Sequence, residues 1–168
     1  MNISHNIFLV CKCMMFVIVS LFVGLNPLKA EEIDLVLPNL QSKLVKASDY
    51  KGKWIIVNYW ATWCPPCLEE IPELNAFHKK HSSTDAVVLG VNIEKDDIDY
   101  VKKFAKNFKI VYPILIANDT VSSPYGHLQA LPTTFILDKS GEVVETIVGA
   151  VTLERLEKII KKDVKSNQ

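Results

Sequence analysis

The sequence predicts an α/β domain built as a three-layer sandwich. Two largely apolar runs without a polar alternation, residues 54–60 and 86–93, have the length and composition of strands that are buried on both faces. Each run is followed by a segment with apolar residues at helical spacing, and strands that alternate with helices are typical of this architecture. Towards the C-terminus two strands joined by a short turn precede a last helix.

The first half of the chain contains four of the predicted elements. Residues 34–40 and 43–46 form an N-terminal extension of short strands, and residues 54–60 form the first central strand. The helix that follows is expected from about Pro65 to about His81, with a kink at Pro72 because proline removes a backbone donor from the helical ladder.

The second half begins with an inserted strand and helix. After the strand at 86–93, a helix starting at Asp96 and Asp97 presents one apolar stripe, which comprises Ile98, Val101, Phe104, Ala105 and Phe108. The remaining prediction is a strand at 113–116, a loop with a short helix over 119–131, paired strands at 133–137 and 142–148, and a helix capped by Thr152.

Composition argues against a nucleic-acid partner and favours a single domain. The chain has 168 residues with 19 basic and 19 acidic side chains, so no excess of positive charge indicates a nucleic-acid partner. The length suits one domain, and the sequence shows no internal repeat or low-complexity tract.

Residues 1–30 differ from the rest of the chain and are typical of a secretory signal peptide. They contain Lys12 and Lys29 but no acid, a 13-residue apolar run over 13–25, and a small residue, Ala30, at the expected cleavage site. The alternative is an uncleaved membrane anchor, since apolar residues also dominate from position 7. Either interpretation places residues 31–168 in the periplasm or another extracytoplasmic space.

Two of the four cysteines remain once the signal peptide is set aside. Cys11 and Cys13 lie in or beside that segment, which leaves the pair Cys64 and Cys67. A single C-x-x-C pair is neither a disulfide framework nor a four-ligand zinc site. No cofactor and no metal are therefore expected.

The remaining pair lies where the first central strand turns into a helix. A thiol at a helix start faces unpaired backbone N–H groups and the positive end of the helix dipole, and both favour the reactive thiolate. Cys67 follows Cys64 by one helical turn, within reach for a disulfide, and Pro65 suits the first turn of a helix. The pattern predicts thiol–disulfide chemistry.

Two motifs identify a family resemblance. Residues 57–67 read Val-Asn-Tyr-Trp-Ala-Thr-Trp-Cys-Pro-Pro-Cys, and residues 131–138 read Leu-Pro-Thr-Thr-Phe-Ile-Leu-Asp. Together with Glu70-Ile71-Pro72-Glu73-Leu74, the inserted unit from Val87 to Ile116 and the turn glycine Gly141, they resemble the thioredoxin superfamily, above all its exported TlpA/ResA-like thiol-disulfide oxidoreductases. The resemblance covers residues 35–162 and implies a thioredoxin-like fold.

The resemblance also implies roles for individual residues. Cys64 would be the exposed attacking thiolate and Cys67 the buried resolving thiol, while Pro132 would be the cis-proline opposite them. Leu131 would offer its backbone to the client chain. The substrate-binding residues that it implies are Trp63, which would also shield the cysteines, Pro65, Pro66, Leu131 and Thr133.

One departure from the family pattern concerns proton transfer. Asn58 occupies the position where thioredoxins carry a buried Asp, so another group must accept the proton of Cys67. By resemblance the nearest match is Glu94, after the second central strand, although its alternative interpretation is a surface carboxylate. Glu69 and Glu70 are most simply exposed helix residues. The loop before Pro132 is also one residue longer than the family pattern.

The function predicted from the sequence is reduction of protein disulfides outside the cytoplasm. Resemblance implies electrons from a DsbD-type membrane thiol carrier and apocytochrome c as a client, because haem attachment needs a reduced C-x-x-C-H. An oxidase or isomerase that installs disulfides is the alternative within the same class. A copper-binding thiol module with His127, or a metal held by His78 and His81, is the alternative from another class, whereas Ala61 lacks the Thr that a peroxiredoxin would require.

Overall fold

A five-stranded mixed sheet forms the centre of the computed structural model, which describes residues 34–95, 97–117 and 122–166. All of these belong to one unit of the chain, residues 33–168. The predicted signal peptide, residues 1–30, lies outside the described residues, so its cleavage or retention stays a prediction. Over the described ranges, no helix combines the length and hydropathy needed to cross a membrane.

The strands and helices follow the predicted alternation. The strands are β1 (Val36–Pro38), β2 (Leu44–Lys46), β3 (Trp54–Trp60), β4 (Ala86–Asn92), β5 (Ile114–Ile116), β6 (Ser122–Ser123), β7 (Gly126–His127), β8 (Thr133–Leu137) and β9 (Val143–Val148). The helices are α1 (Pro65–His81), α2 (Ile98–Asn107) and α3 (Leu153–Ser166), with a short 3-10 helix at Ala47–Tyr50.

The order of the central sheet is β5-β4-β3-β8-β9, with β3 in the middle. Strand β3 pairs in parallel with β4 and antiparallel with β8, so the end of β3 meets the end of β4 and the start of β8. Trp60 lies opposite Asn92, and Tyr59 lies opposite Thr133. The segments after Trp60, after Asn92 and before Thr133 therefore meet at one edge of the sheet.

The two faces of the sheet are packed against different elements. Ile56 of β3 faces Leu74 of α1 and Leu156 of α3, and Trp60 faces Phe104 of α2, so the three helices share one face. On the other face Ile55, Val57 and Tyr59 pack against the N-terminal strands and the segment before β8, through Leu35, Leu37, Ala47 and Leu128. These layers confirm the predicted α/β thioredoxin-like class, with the N-terminal extension and the inserted strand and helix.

Two local predictions need correction. The apolar stripe of α2 buries Val101, Phe104 and Ala105, but Ile98 and Phe108, at the two ends of the helix, are 36% and 41% exposed. Residues 122–131 contain the two-residue strands β6 and β7 instead of a short helix, and a Pro124-Tyr125 turn joins them. Thr152 caps α3 as predicted, since its hydroxyl accepts a hydrogen bond from the backbone of Arg155.

Candidate active site

The two cysteines form a disulfide at the junction of β3 and α1. Strand β3 ends at Trp60, and after a three-residue turn Cys64 becomes the N-cap of α1, with Pro65 as its first residue. The Sγ atoms of Cys64 and Cys67 are bonded at 2.08 Å, and the carbonyl of Cys64 accepts hydrogen bonds from the backbone N–H groups of Cys67 and Leu68. The predicted pair is thus positioned by a strand end and a helix start.

The two cysteines differ less in solvent exposure than the resemblance implies. Cys67 is 1% exposed, as expected of a resolving thiol, but Cys64 is only 4% exposed. The prediction of an exposed Cys64 is therefore wrong for the disulfide form of the protein. The cause is local packing, because Cys64 belongs to an apolar cluster with Ile71 and Ile116, and it also lines a groove.

The cis-proline lies where the sequence places it. The Leu131–Pro132 peptide bond is cis and immediately precedes β8, whose first residue pairs with Tyr59 near the end of β3. The Thr133 hydroxyl donates a hydrogen bond of 2.7 Å to the carbonyl of Ala130, and the carbonyl of Pro132 accepts one of 2.8 Å from Gly149. The loop is thus held on both sides of Leu131.

A groove of about 470 Å³ opens onto Cys64 between the start of α1 and the loop that precedes β8. None of its lining side chains carries a charge, and most of them are apolar. They are Trp63, Cys64, Pro65, Pro66, Ile93, Leu128, Gln129, Ala130 and Leu131.

Four of the five predicted substrate-binding residues line this groove. Trp63 is 65% exposed and forms part of its wall, with Pro65, Pro66 and Leu131. Thr133 is instead fully buried and acts on the loop through Ala130. The sequence prediction missed four further lining residues, Ile93 and 128–130, although Ile93 ends the predicted second central strand at the edge of the sheet where the cysteines lie.

The prediction that Glu70 is an exposed helix residue is wrong. Glu69 is exposed as predicted, but Glu70 is 1% exposed, on the helix face that also buries Cys67 and Leu74. One carboxylate oxygen accepts a hydrogen bond of 2.7 Å from the Asn58 side chain, and the other accepts one of 2.9 Å from the backbone of Val151. The spacing of three residues from Cys67 was the available signal.

Burial changes the acid–base behaviour of this carboxyl group. Loss of water raises the pKa of Glu70 from 4.5 to about 7, and the hydrogen bonds from Val151 and Asn58 only partly offset that effect. Asn58 also donates a hydrogen bond of 3.0 Å to the hydroxyl of Thr134, so a buried polar cluster extends into the sheet beneath the cysteines. A carboxyl group with a pKa near neutrality can take up and release a proton at physiological pH.

Glu94 lies at the same edge of the sheet but faces other groups. Its carboxylate accepts hydrogen bonds of 2.6 and 2.7 Å from the backbone and hydroxyl of Thr62, and one of 3.0 Å from the Asn92 side chain. The predicted transfer of a proton from Cys67 to Glu94 is not tested by these contacts and stays a prediction.

The histidines have structural partners. His78 accepts a hydrogen bond of 3.2 Å from the backbone of Val88, and His81 lies between Asp85 and Glu157 at 2.9 and 3.4 Å. His127 is exposed on β7. In the described part of the chain, no group of three or more His, Cys, Asp or Glu residues is arranged to hold a metal ion.

Comparison with known proteins agrees with the geometry. The model of the AhpC/TSA family matches residues 29–146. The chain is 38% identical over 126 residues to the thiol-disulfide oxidoreductase ResA of Geobacillus kaustophilus, covering 74% of this chain and 71% of that protein.

Solved structures show the same likeness. A thiol:disulfide interchange protein from Chlorobium tepidum superposes with a TM-score of 0.69 at 30% identity, over 77% of this chain and 92% of that one. A DsbF homologue from Corynebacterium diphtheriae gives 0.70 at 28% identity, over 77% and 83%. With its C-x-x-C disulfide at a strand–helix junction beside a cis-proline, the chain belongs to the AhpC/TSA family and is a ResA-like thiol-disulfide oxidoreductase of the thioredoxin superfamily.

Proposed function

We propose that this oxidoreductase reduces protein disulfides outside the cytoplasm. The observation that carries the proposal is the Cys64–Cys67 disulfide, whose Cys64 lines an uncharged groove together with Leu131 of the cis Leu131–Pro132 bond. Of the two sulfurs, only that of Cys64 belongs to a residue that lines the groove. A client chain in the groove would therefore meet Cys64 first.

The reaction is an exchange of disulfides in two steps. In the reduced protein the Cys64 thiolate attacks one sulfur of the client disulfide, which forms a mixed disulfide and releases one client thiolate. The Cys67 thiolate then attacks the Sγ atom of Cys64 and releases the second client thiolate. The client gains two electrons and two protons, and the protein ends with the Cys64–Cys67 disulfide.

The second step needs a group that takes the proton from Cys67, and we assign this role to Glu70. Both residues lie on the buried face of α1 within one helical turn, and the pKa of Glu70, about 7, suits transfer at neutral pH. The sequence assigned the role to Glu94, whereas the contacts of Glu94 are with Thr62 and Asn92.

Insulin reduction tests the order of the two cysteines. Cys64→Ala should abolish the reaction, because no nucleophile then faces the groove. Cys67→Ser should stop it at the mixed disulfide, which non-reducing electrophoresis detects as a covalent adduct. A Cys64→Ala protein that retains full activity would disprove the assignment.

The direction of the reaction depends on the reduction potential of the cysteine couple. Equilibration with dithiothreitol should give a value near that of thioredoxin, about −270 mV, if the protein is a reductase that needs an electron donor. A value nearer −120 mV would instead support the formation of disulfides. The measurement requires only residues 31–168, which contain both cysteines of the site.

For the client and the electron donor we propose apocytochrome c and a DsbD-type membrane thiol carrier. The haem-binding C-x-x-C-H segment must be reduced before haem attaches, and the uncharged groove suits a segment of small and apolar residues beside a disulfide. The Cys67→Ser variant should form a mixed disulfide with an oxidised synthetic C-x-x-C-H peptide. Cys64→Ser is the matched control and should form none.

Export completes the proposal. Residues 1–30 would direct the chain across the membrane, and cleavage after Ala30 would leave Glu31 as the first residue. Mass spectrometry of the protein from fractionated cells distinguishes the two forms. A chain that begins at Glu31 supports cleavage, whereas a full-length chain in the membrane fraction supports the anchor.

A further inference from the structure

The Glu94 carboxylate accepts hydrogen bonds from the turn that connects β3 to Cys64. One oxygen accepts hydrogen bonds from the backbone N–H of Thr62 at 2.6 Å and from the side chain of Asn92 at 3.0 Å. The other oxygen accepts the Thr62 hydroxyl at 2.7 Å. Asn92 in turn accepts the backbone N–H of Glu94 at 2.8 Å, so the carboxylate is itself held in place.

These contacts connect two segments that line the groove. Thr62 directly precedes Trp63, and Glu94 directly follows Ile93, and both Trp63 and Ile93 line the groove. The backbone N–H of Ile93 also donates a hydrogen bond of 3.2 Å to the carbonyl of Trp60. Without the carboxylate, the Thr62 N–H would lose its acceptor. Residues 61–63 would then lose their hydrogen bonds to Glu94, a residue outside the turn.

The hydrogen bonds of the Glu94 carboxylate are with the turn and with Asn92. The hydrogen bonds that described residues donate to the Glu94 carboxylate come from Thr62 and Asn92, and the buried acid on the helix face of Cys67 is Glu70. A carboxylate that accepts bonds from both groups of one residue fixes that residue in position and orientation.

We propose that Glu94 is a positioning residue that sets the affinity for client proteins by holding Trp63 in place at the groove. This inference rests on the proposed reductase function and specifies which residue controls client binding. The charge of Glu94 is not required for that role, whereas its two oxygens, or an isosteric oxygen and nitrogen, are.

The geometry predicts opposite effects for two substitutions of Glu94. In Glu94→Gln the amide oxygen can keep the bonds from the Thr62 backbone and Asn92, while the amide nitrogen donates to the Thr62 hydroxyl, which can accept as well as donate. Glu94→Ala removes all three bonds. A role as proton acceptor would be lost equally in both variants, so the pair separates positioning from proton transfer.

The experiment is single-turnover oxidation of the reduced full-length protein by insulin, followed by tryptophan fluorescence at increasing insulin concentration. Glu94→Ala should raise the half-saturating insulin concentration on the order of tenfold, the equivalent of about one lost hydrogen bond, with the limiting rate changed less than about twofold. Glu94→Gln should stay within about threefold of the unmodified protein. Glu142→Gln, an exposed acid in the turn after β8, is the matched control.

Thr62 provides the second half of the test. Thr62→Val removes one of the bonds to the carboxylate and should give a smaller increase in the half-saturating concentration, whereas Thr62→Ser keeps the hydroxyl and should restore the original value. These variants keep the proposal testable should Glu94→Ala fail to fold, which circular dichroism would show.

Three outcomes would overturn the inference. They are an unchanged half-saturating concentration in Glu94→Ala, equal damage in Glu94→Gln and Glu94→Ala, and a limiting rate that falls with no change in half-saturation. Reaction with the small disulfide 5,5′-dithiobis(2-nitrobenzoic acid) reports the sulfur chemistry without the contacts that a protein client makes. Failure of the unmodified protein to reduce insulin while it reacts with that reagent would instead count against the proposed function.

Discussion

Replacement of Glu70 by Gln should change how the stability of the oxidised protein depends on pH. The folded protein raises the pKa of this carboxyl group from 4.5 to about 7, so the folded state binds the proton more tightly than the unfolded chain does. The contribution is fully present below pH 4.5 and is lost as the pH rises to about 7. At about 1.36 kcal/mol per pH unit, the loss is about 3 kcal/mol.

The variant removes this dependence but adds a constant cost. A Gln side chain has one acceptor oxygen, while Asn58 and the Val151 backbone both donate to Glu70, so one donor loses its partner at every pH at a cost of about 1–3 kcal/mol. The unmodified protein should therefore be the more stable of the two at pH 4. Its advantage should shrink or reverse at pH 8.5.

Guanidinium denaturation at the two pH values measures the difference, with both proteins kept in the disulfide form. The gap in unfolding free energy between Glu70→Gln and the unmodified protein should move by about 3 kcal/mol in favour of the variant. Glu69→Gln, on the exposed side of the same helix, should show no such movement. A gap that stays constant within about 1 kcal/mol would refute the assignment of a buried acid with a raised pKa.

Three further predictions follow from packing and charge. Leu74→Ala should lower the unfolding free energy by about 2–5 kcal/mol, since the side chain is fully buried, and an unchanged urea midpoint would contradict its place in the core. Gly90→Ala should cost about 1–3 kcal/mol in the same assay because a Cβ there would lie 2.7 Å from the Tyr112 ring; a neutral effect would show that the ring can move aside. Hydrogen bonds lower the pKa of Glu157 to about 2, and the bond from Lys80 has the largest effect. The free energy of unfolding should therefore fall as the pH drops from 4.5 towards 2. Glu157→Gln should flatten that slope in acid titrations followed by circular dichroism.

The sequence was sufficient wherever structure depends on local pattern. The helix Pro65–His81 was predicted with its observed bounds because proline suits its first position and an apolar stripe follows. The strand Thr133–Leu137 was also predicted correctly, since a fully apolar or β-branched run follows Pro132. Cys64 and Cys67 lie within one short motif, and the cis bond before Pro132 was implied by the family resemblance of a second one.

Features that depend on distant residues were not visible in the sequence. Glu70 looks like a surface helix residue because the groups that compensate its burial, Asn58 and Val151, lie 12 and 81 residues away. The groove wall at 128–130 comes from a loop whose position is set by the pairing of β8 with β3. Periodicity predicts which face of an element is apolar, but not which polar groups the fold brings to it.

The cost of burying Glu70 is itself informative about function. A buried carboxylate destabilises the fold by about 3 kcal/mol above neutral pH, and an apolar side chain of similar volume at such a site is often neutral or stabilising. The surrounding positions of α1, Ile71 and Leu74, are apolar, so packing alone gives no reason for an acid there. What distinguishes the position is Cys67, three residues earlier on the same buried face. The proton exchange with that thiol that we propose would account for both the placement of the acid and a pKa near 7.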